Sequence, residues 1–591
     1  MVFIHGGTFV IGNGGKSLYG PDFLMKQEVI LITFNYRLGA LGFLCLEKYI
    51  EGEEAILTDL PYNLLSKFSK NVSIIYGTTS KEGLMLLAHD TEQSLAERDS
   101  KYIFGTDLEF PSAEEAPQPP PHWDGVFKAT EEIHLCPQPT PVGAVGSEDC
   151  LKINVYVPTK AQKPLSVMVY IHGGAFIIGS GGKLVYGPDF FMQKNVILVT
   201  FNYRLGALGF LCLGLEEAPG NAGLKDQVAA LRWVKKNISA FGGDPDNITI
   251  FGHSAGGTSV ALLVASEITD GLFNRAIIHS GSSLANWALN KDPIAIASEM
   301  AKLLGHDIKD PKELYDLYYN LSYKELVSSI ANIPIGSQLN MHLLHLPCVE
   351  KEFGQEAFFR DTPFNLISKN PKNISLMYGS TDKEGLFFVS EETDETLKYN
   401  SNRNLFGNEF EFKSKEEEAK VAKELKQFYF GNKDISKETL MNFSNFYTDF
   451  HFEMPMLLEA EIMAKNIKAP IYIYYFTYSG GRNMVKHRSG FIDEPGACHG
   501  DDILYMFKSI IWPYKISEAD QRMINWMTTM ITNFGIYGDP TPKSLPVRWL
   551  PNNKQELKFL HIGDELKMGQ MPKPDTFQFW KNLYNKYRRI F

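Results

Sequence analysis

The stretch "NITIFGHSAGG", Asn247 to Gly257, places one serine between two glycines where a strand gives way to a helix. The run "NITIF" is β-branched and apolar, as a buried strand requires, and the residues that follow Ser254 are small and compatible with a helix. The pattern G-H-S-A-G fits the sharp strand-to-helix turn known as a nucleophile elbow. It predicts that the Ser254 hydroxyl stands clear of a sheet at a helix N-terminus. The alternative is a glycine-rich turn with an incidental serine.

The sequence around this turn alternates between strand and helix signals. Short apolar runs rich in Val and Ile are typical of buried parallel strands, and here they are "VMVYIHGG", "VILVTFNYRL", "NITIFG", "RAIIHSG", "ISLMYGS" and "IYIYYFTY". Helical spacing of apolar residues marks "AGLKDQVAALRWVKKNI", and "SEADQRMINWMTTMITNF" opens with a Ser517/Asp520 capping pattern and places Met523, Trp526, Met530 and Phe534 inward. Such alternation predicts an α/β fold with a doubly wound, mostly parallel sheet. Residues 304–326 and "KSKEEEAKVAKELKQF" are predicted to be helical additions to it.

Composition excludes several classes of function. The chain has 591 residues, of which 44% are hydrophobic and 21% charged, enough to build a sizeable core. A net charge of −11 without a long basic stretch argues against a nucleic-acid partner. No run of about 18 apolar residues occurs, so we expect no membrane span. The oligomeric state is not readable from the sequence.

The cysteines form no CxxC pair and no cluster with histidines, so we expect no metal site. They are Cys45, Cys136, Cys150, Cys212, Cys348 and Cys498. Cys136 and Cys150 are close enough in sequence to close a short disulfide loop, and a reduced pair is the equal alternative. Six sequons weakly favour a secreted glycoprotein, at Asn71, Asn237, Asn247, Asn320, Asn373 and Asn442. The chain shows no cleavable signal peptide, so both secretion and a cytoplasmic location stay open.

The front of the chain repeats two parts of the later sequence. Residues 2–46 match 169–213 without gaps, and residues 59–110 match 361–412. The serine stretch occurs only in the later copy. The pattern indicates one nearly complete unit preceded by two excerpts of a sister unit, rather than a solenoid.

A serine nucleophile requires a base and an orienting acid. In folds with this elbow the chain order is Ser, then Asp or Glu, then His. "PGACHGDDILYMF" puts His499 in a glycine-bounded loop after the strand "IYIYYFTY", which suits a base, whereas His345 and His451 have the apolar neighbours of packed residues. For the acid, "LMYGSTDKEGLFF" ends a strand and offers Asp382 and Glu384. The local sequence alone does not favour either of them.

The oxyanion site requires backbone N–H groups aimed at the developing negative charge. "IHGGAF", after an early strand, supplies the amides of Gly174 and Ala175, joined by the amide of Ala255. Alanine in place of a third glycine keeps its N–H and adds a methyl to the acyl pocket. The alternative is an ordinary turn at the end of a strand.

From about Ala116 to Phe591 the chain resembles the type-B carboxylesterases, the family that includes the cholinesterases, and above all the insect carboxylesterases. The resemblance is carried by "APQPPPHWDGV", "GSEDCLKINVYVP", "YIHGGAF", "NYRLGALGFL", "PGNAGLKDQVAALRWVKKNISAFGGDPDNITIFGHSAGG", "GLFNRAIIHSGS", "YGSTDKEG" and "GACHGDD". It implies an α/β-hydrolase fold with helical additions above the active site. It also implies a serine hydrolase that cleaves small-molecule carboxylic esters without a metal or organic cofactor.

Carried over residue by residue, the resemblance places the nucleophile on Ser254 and the base on His499. It places the acid on Glu384, directly before glycine in "KEG", rather than on Asp382. It also places Cys136 and Cys150 where secreted members form their first disulfide.

Several alternatives within this fold stay open. A juvenile hormone esterase usually carries Gln where this chain has His253, so we rank that function below a general or odorant-degrading esterase. A lipase would prefer aggregated long-chain glycerides. Inactive binding members of the fold typically lose the serine that this chain keeps.

Two departures from the family pattern concern the front of the chain. The later unit lacks the opening strands that should precede "APQPPPHW", and their loss is expected to expose a sheet edge. The front copy retains a loop at His5 to Gly7 and Glu82, but neither a nucleophile nor a histidine base. We therefore predict an incomplete duplicate without an active site over residues 1–112, and the esterase domain over 113–591. Apolar strands of the duplicate are an aggregation hazard unless one pairs with the open edge.

Overall fold

The computed structural model describes residues 2–3, 32–33, 100–104, 129, 134–140, 143–159, 164–328, 345–542, 545–552 and 557–588. The chain divides into two compact units, Met1–Thr91 and Glu92–Phe591. In the first unit, β1 (Val2–Phe3) pairs in parallel with β2 (Ile32–Thr33). The predicted loop at residues 5–7 and Glu82 lie outside the described residues.

A ten-stranded sheet forms the centre of the second unit. In chain order the strands are β3 (Ser100–Phe104), β4 (Gln138–Thr140), β5 (Gly143–Val145), β6 (Ile153–Pro158), β7 (Leu165–Ile171), β8 (Val196–Phe201), β9 (Gly243–His253), β10 (Arg275–His279), β11 (Ser375–Thr381), β12 (Ile471–Phe476), β13 (Lys558–Ile562) and β14 (Leu566–Gln570). Strands β4 and β5 form a separate antiparallel pair, and the others are ordered β14-β13-β12-β11-β10-β9-β7-β8-β6-β3. Pairing is parallel from β13 to β8 and antiparallel at both edges. The predicted mostly parallel α/β-hydrolase sheet is confirmed.

Helices flank this sheet. They are α1 (Gly206–Phe210), α2 (Ala222–Asn237), α3 (Ala255–Ala265), α4 (Pro293–Leu303), α5 (Pro311–Asn320), α6 (Tyr323–Ser328), α7 (Pro363–Lys369), α8 (Leu386–Val389), α9 (Asp394–Asn402), α10 (Lys415–Phe430), α11 (Leu440–Tyr447), α12 (Met454–Asn466), α13 (Met484–Arg488), α14 (Glu518–Tyr537) and α15 (Pro574–Tyr587). The two predicted helical additions correspond to α5 with α6 and to α10. No helix among the described residues is long and apolar enough to cross a membrane.

The central strands are buried on both faces, which explains their continuous apolar sequences. Along β7, Val167 and Val169 join one hydrophobic cluster, whereas the alternating Met168 and Tyr170 join a second one. A strand that packs on both faces favours apolar side chains at nearly every position. The sheet therefore lies between two packed layers, as the run "VMVYI" predicts.

Most of the sequence prediction for helix α14 is confirmed. The Ser517 hydroxyl accepts a hydrogen bond from the Asp520 amide at 3.0 Å, so the predicted cap is present. Met523, Met530 and Phe534 are buried against the second cluster, as expected. Trp526 is only partly buried, at the margin of that cluster.

The edge of the sheet beyond β6 is covered by β3. In register, Ser100 lies opposite Pro158 and Phe104 opposite Asn154 in an antiparallel pair. Strand β3 belongs to the segment predicted as the incomplete duplicate, although it is not one of the two apolar strands named from the sequence. Strand β6 is therefore paired on the side away from β8.

Two disulfides cross-link the unit. Cys136 bonds to Cys150 across a sequence separation of 14, the pairing that the resemblance predicted. Cys212 bonds to Cys348 across a separation of 136, which the sequence analysis missed because no local spacing marks it. Cys498 is a buried free thiol next to His499.

Candidate active site

Ser254 occupies the turn between β9 and α3. Its φ of 59° and ψ of −126° lie outside the regions that non-glycine residues usually adopt. The Ser254 amide donates to the carbonyl of His279 at 2.9 Å, which ties the turn to the end of the neighbouring strand β10. Strained backbone of this kind persists where the surrounding structure holds it, and it is concentrated at functional sites.

The glycines two positions before and after the serine are explained by close backbone contacts. A Cβ on Gly252 would lie 2.4 Å from the Gly256 carbonyl oxygen, and one on Gly256 would lie 2.1 Å from the Ile171 oxygen. Both distances are too short for any side chain. The spacing G-x-S-x-G is thus required by the way β9, the turn and β7 meet.

His499 and Glu384 complete a chain of hydrogen bonds from the serine. His499 lies in the loop between α13 and the short turn Ile503–Tyr505, and its Nε2 is 2.9 Å from Ser254 Oγ. Its Nδ1 is 2.5 Å from Oε2 of Glu384. The structure therefore brings together the three side chains that the resemblance selected. The other candidates, His345 and His451, are buried in packed positions.

Glu384 is fully buried and is held by donors on three sides. Its Oε1 accepts from Ser280 Oγ at 2.6 Å, Ser380 Oγ at 3.1 Å and the Thr381 amide at 2.8 Å. Burial on its own would raise the pKa of Glu384, but His499, the Ser280 hydroxyl and the Thr381 amide lower it below its ordinary value. The carboxylate is therefore kept ionised beside the imidazole.

Ser280 and Ser380 were missed by the sequence analysis. Strands β10 and β11 pair in parallel with His279 opposite Gly379, so the next residues of both strands meet at the carboxyl edge of the sheet. The Ser280 amide also donates to the Gly379 carbonyl at 2.7 Å. The sequence signal that could have found them was their position at the ends of two strands. Ser280 directly follows β10, and Ser380 lies at the end of β11.

Asp382, the other candidate acid, points to a different partner. Its Oδ1 accepts from the Ala497 amide at 2.7 Å. Burial raises the pKa of Asp382 to about 6, although the Ala497 hydrogen bond opposes the shift. Of the two carboxylates that the local sequence offered as the acid, Glu384 is the one that contacts His499.

The predicted oxyanion loop lies against the serine turn. A Cβ on Gly173 would come within 2.5 Å of the His253 carbonyl oxygen, so this glycine allows the two segments to touch. Gly174 and Ala175 have φ of 121° and 54°, and neither amide donates to an acceptor in the described part of the chain. The Ala255 amide belongs to the first turn of α3, where helix N–H groups have no internal partner. All three predicted donors thus stand near Ser254.

Buried polar contacts support this loop. His172 stacks on Tyr203 with ring centroids 4.4 Å apart, and the Tyr203 hydroxyl donates to the His172 carbonyl at 2.9 Å. Nδ1 of His172 donates to the Gly173 carbonyl at 2.9 Å. Burial lowers the pKa of His172 to about 4, so the ring is neutral near pH 7. Tyr203, in the motif "NYRLG", therefore supports the predicted oxyanion loop.

Ser254 and His499 line a cavity of about 270 Å³. Its walls are mainly apolar and aromatic, and they include Ile178, Val185, Tyr186, Trp287, Phe387, Phe388, Phe452, Met484, Val485, Ile503 and Leu504. No Asp, Glu, Lys or Arg of the described residues lines it. The cavity is therefore suited to a neutral, apolar molecule.

The His253 ring of the wall lies beside the base. Its ring centroid lies 4.6 Å from that of His499. Burial lowers the pKa of His253 well below its ordinary value, and the neighbouring His499 and His279 lower it further. His253 therefore presents a neutral imidazole to the cavity. Elsewhere, no group of three or more His, Cys, Asp or Glu side chains in the described ranges is arranged to hold a metal ion.

Comparison with known proteins gives these residues a family context. The model of the carboxylesterase family matches residues 1–52 and 115–580, a range that contains Ser254, Glu384 and His499. Esterase FE4 of Myzus persicae is 34% identical over 466 residues, which cover 74% of this chain and 79% of that protein. Juvenile hormone esterase of Heliothis virescens is 34% identical over 459 residues, covering 73% and 80%.

A solved structure agrees with these sequence matches. The crystal structure of juvenile hormone esterase from Manduca sexta, with OTFP covalently attached, superimposes with a TM-score of 0.73 at 28% identity. The superposition covers 82% of this chain and 95% of that one.

Proposed function

The chain belongs to the carboxylesterase family and hydrolyses carboxylic esters, and we propose that Ser254, His499 and Glu384 carry the reaction through an acyl-serine intermediate. The observation that carries this proposal is the unbroken path Ser254 Oγ–His499–Glu384, with distances of 2.9 and 2.5 Å. A serine, a base within hydrogen-bond reach and an acid that orients the base are the parts that this chemistry requires.

In the acylation step, Nε2 of His499 takes the Ser254 proton as the oxygen attacks the ester carbonyl. The ionised Glu384 holds the imidazole with Nε2 facing the serine and stabilises the imidazolium that forms. The Ser280, Ser380 and Thr381 donors keep Glu384 from rotating away, since its Oε1 is fully engaged.

The tetrahedral oxyanion would bind the amides of Gly174, Ala175 and Ala255. Backbone donors that are held in place before the reaction stabilise the developing charge without reorganisation. His499 then protonates the leaving alcohol, and a water molecule releases the acid by the same sequence in reverse.

The cavity indicates the chemistry of the substrate. With apolar walls and a neutral His253, it favours an uncharged ester with apolar acyl or alkoxy parts. A charged substrate would lose hydration here without gaining a charged partner from the walls.

A juvenile-hormone-like ester is the second candidate, favoured by the superposition on the Manduca sexta enzyme. His253, where such esterases usually carry Gln, argues for a general or odorant-degrading esterase instead. Turnover of juvenile hormone relative to p-nitrophenyl acetate distinguishes the two, since a hormone esterase should show much the higher kcat/KM on the hormone.

Labelling with a fluorophosphonate probe tests whether Ser254 is activated. The wild-type chain should be labelled stoichiometrically at Ser254, and Ser254→Ala should not be labelled. Unlabelled wild-type protein that is folded would refute the proposal and favour an inactive member of the fold.

A further inference from the structure

The loop that carries His499 is joined to the loop that carries Glu384. The Ala497 amide donates to Asp382 Oδ1 at 2.7 Å, and the Ala497 carbonyl accepts from the Lys383 amide at 3.0 Å. Lys383 and Cys498 form an isolated parallel bridge at the same place. Two neighbouring hydrogen bonds therefore fix the distance between residues 382–384 and residues 497–499.

Asp382 is itself anchored to the sheet. Its amide donates to the carbonyl of Phe476, the last residue of β12, at 3.2 Å. Gly496 has a φ of 94°, and a Cβ there would lie 2.3 Å from Asp382 Oδ2. Residues 489–502, the loop that carries His499, are called the base loop. Because Gly496 has no side chain, the base loop leaves room for the Asp382 carboxylate, and any larger residue at position 496 would fill that space.

The other contacts of the base loop do not replace this anchor. The Cys498 amide donates to Asp501 Oδ2 at 2.8 Å, which shapes the turn within the loop. Lys486 donates to the Gly496 carbonyl at 2.9 Å from α13. Of the side chains in these contacts, only Asp382 belongs to the segment that also carries Glu384.

From these contacts we propose that Asp382 is a positioning residue for the base: its carboxylate oxygen holds the Ala497 amide and so sets the place of His499 between Ser254 and Glu384. The proposal rests on the catalytic roles proposed above. Asp382 does not line the cavity, so it has no contact with substrate. A displacement of about 1 Å in a catalytic group can lower the rate by roughly 10²-fold.

The test compares three substitutions in the full chain with p-nitrophenyl acetate as substrate. Asp382→Ala removes the acceptor and should lower kcat at least about 10-fold, with KM within about 3-fold of wild type. Asp382→Asn keeps an oxygen at the same place and should restore kcat to within about 3-fold. Asp493→Ala is the matched control, because it removes an exposed acidic side chain three positions before Gly496, and its kcat should equal that of wild type.

Two further measurements keep the test decisive. The second-order rate of fluorophosphonate labelling should fall in parallel with kcat in Asp382→Ala, because it depends on the serine and base without an extended substrate. If Asp382→Ala is not soluble, Asp382→Glu keeps the charge but displaces the acceptor by one methylene, and its kcat should fall while the protein remains folded.

The outcomes separate this proposal from the proposed function. Wild-type kcat in Asp382→Ala, or in a folded Asp382→Glu if the alanine variant is insoluble, would overturn the positioning role while leaving the triad intact. An Asp382→Asn variant as slow as Asp382→Ala would overturn it too, because the charge and not the acceptor would then matter. Wild-type protein that resists labelling would refute the proposed function instead.

Discussion

Nε2 of His499 lies 2.9 Å from Oγ of Ser254, although 245 positions separate the two residues. Ser254 follows β9, and His499 follows β12, so both approach from the carboxyl edge of the same parallel sheet. The distance already permits direct proton transfer from serine to imidazole. The turn at Ser254 and the anchored loop at His499 hold this geometry.

Replacement of the nucleophile should abolish turnover. We expect Ser254→Ala to lower kcat for p-nitrophenyl acetate by roughly 10⁶-fold, since a serine triad without its serine retains only binding and oxyanion stabilisation. Unchanged circular dichroism and Tm would show that the fold is intact. Retention of most of the activity would remove Ser254 from the mechanism.

The two neighbouring carboxylates should differ sharply in their effects. Glu384→Gln presents an amide to His499 Nδ1 and favours the wrong tautomer, so we expect a loss on the order of 10⁴-fold in kcat. Asp382→Asn keeps its acceptor for the Ala497 amide and should lose little. Steady-state kinetics on both variants decide the matter. Equal losses, or the reverse order, would give the acid role to Asp382.

The front segment should matter for folding and not for chemistry. We propose that residues 1–112 supply no catalytic group, while β3 covers the edge of β6. Tyr102→Pro removes a backbone donor in the middle of β3 and should lower Tm by at least about 3 °C. Turnover per labelled serine should be unchanged, and Tyr102→Thr, which can still donate, should lower Tm less than Tyr102→Pro.

Deletion variants extend the same prediction. Residues 92–591 retain β3 and should give soluble, active enzyme, whereas residues 113–591 should give a lower soluble yield at the same turnover per site. An equal or better yield from residues 113–591 would show that the segment is dispensable. A loss of turnover per labelled serine would show instead that it takes part in the site.

A buried carboxylate near the base should make stability depend on pH. Asp502 Oδ2 accepts from the Tyr474 hydroxyl at 2.9 Å, while Oδ1 has no hydrogen-bond partner in the described part of the chain. Burial raises the pKa of Asp502 from 3.8 to about 7. The folded protein therefore holds a proton that the unfolded chain releases at lower pH, so this stability contribution is lost as pH rises from about 4 to about 7.

Asp502→Asn removes that dependence and keeps the bond from Tyr474. Relative to the variant, wild type should lose unfolding free energy by up to about 1.4 kcal/mol per pH unit between pH 5 and 7, and the difference should level off above pH 7. Urea unfolding of both proteins from pH 5 to 8 measures it. A difference that stays constant over this range would contradict the prediction.

Local sequence patterns were sufficient for the elements that depend on a few adjacent residues. The G-x-S-x-G spacing predicted the turn at Ser254, because backbone clashes at Gly252 and Gly256 are set by the turn itself. Continuous apolar runs predicted the central strands, because burial on both faces leaves few positions for a polar side chain. The Ser517 cap and the inward face of α14 followed from the same kind of short-range rule.

Only the tertiary structure decided which distant residues meet. Asp382 and Glu384 were even by local pattern, and the fold assigns one to Ala497 and the other to His499. Ser280 and Ser380 became donors to Glu384 through the register of β10 and β11, and Cys212 found Cys348 across 136 positions. The physical reason is that a strand's sequence encodes its own burial, whereas partner strands and register come from packing the whole sheet. No short stretch of this chain contains that information.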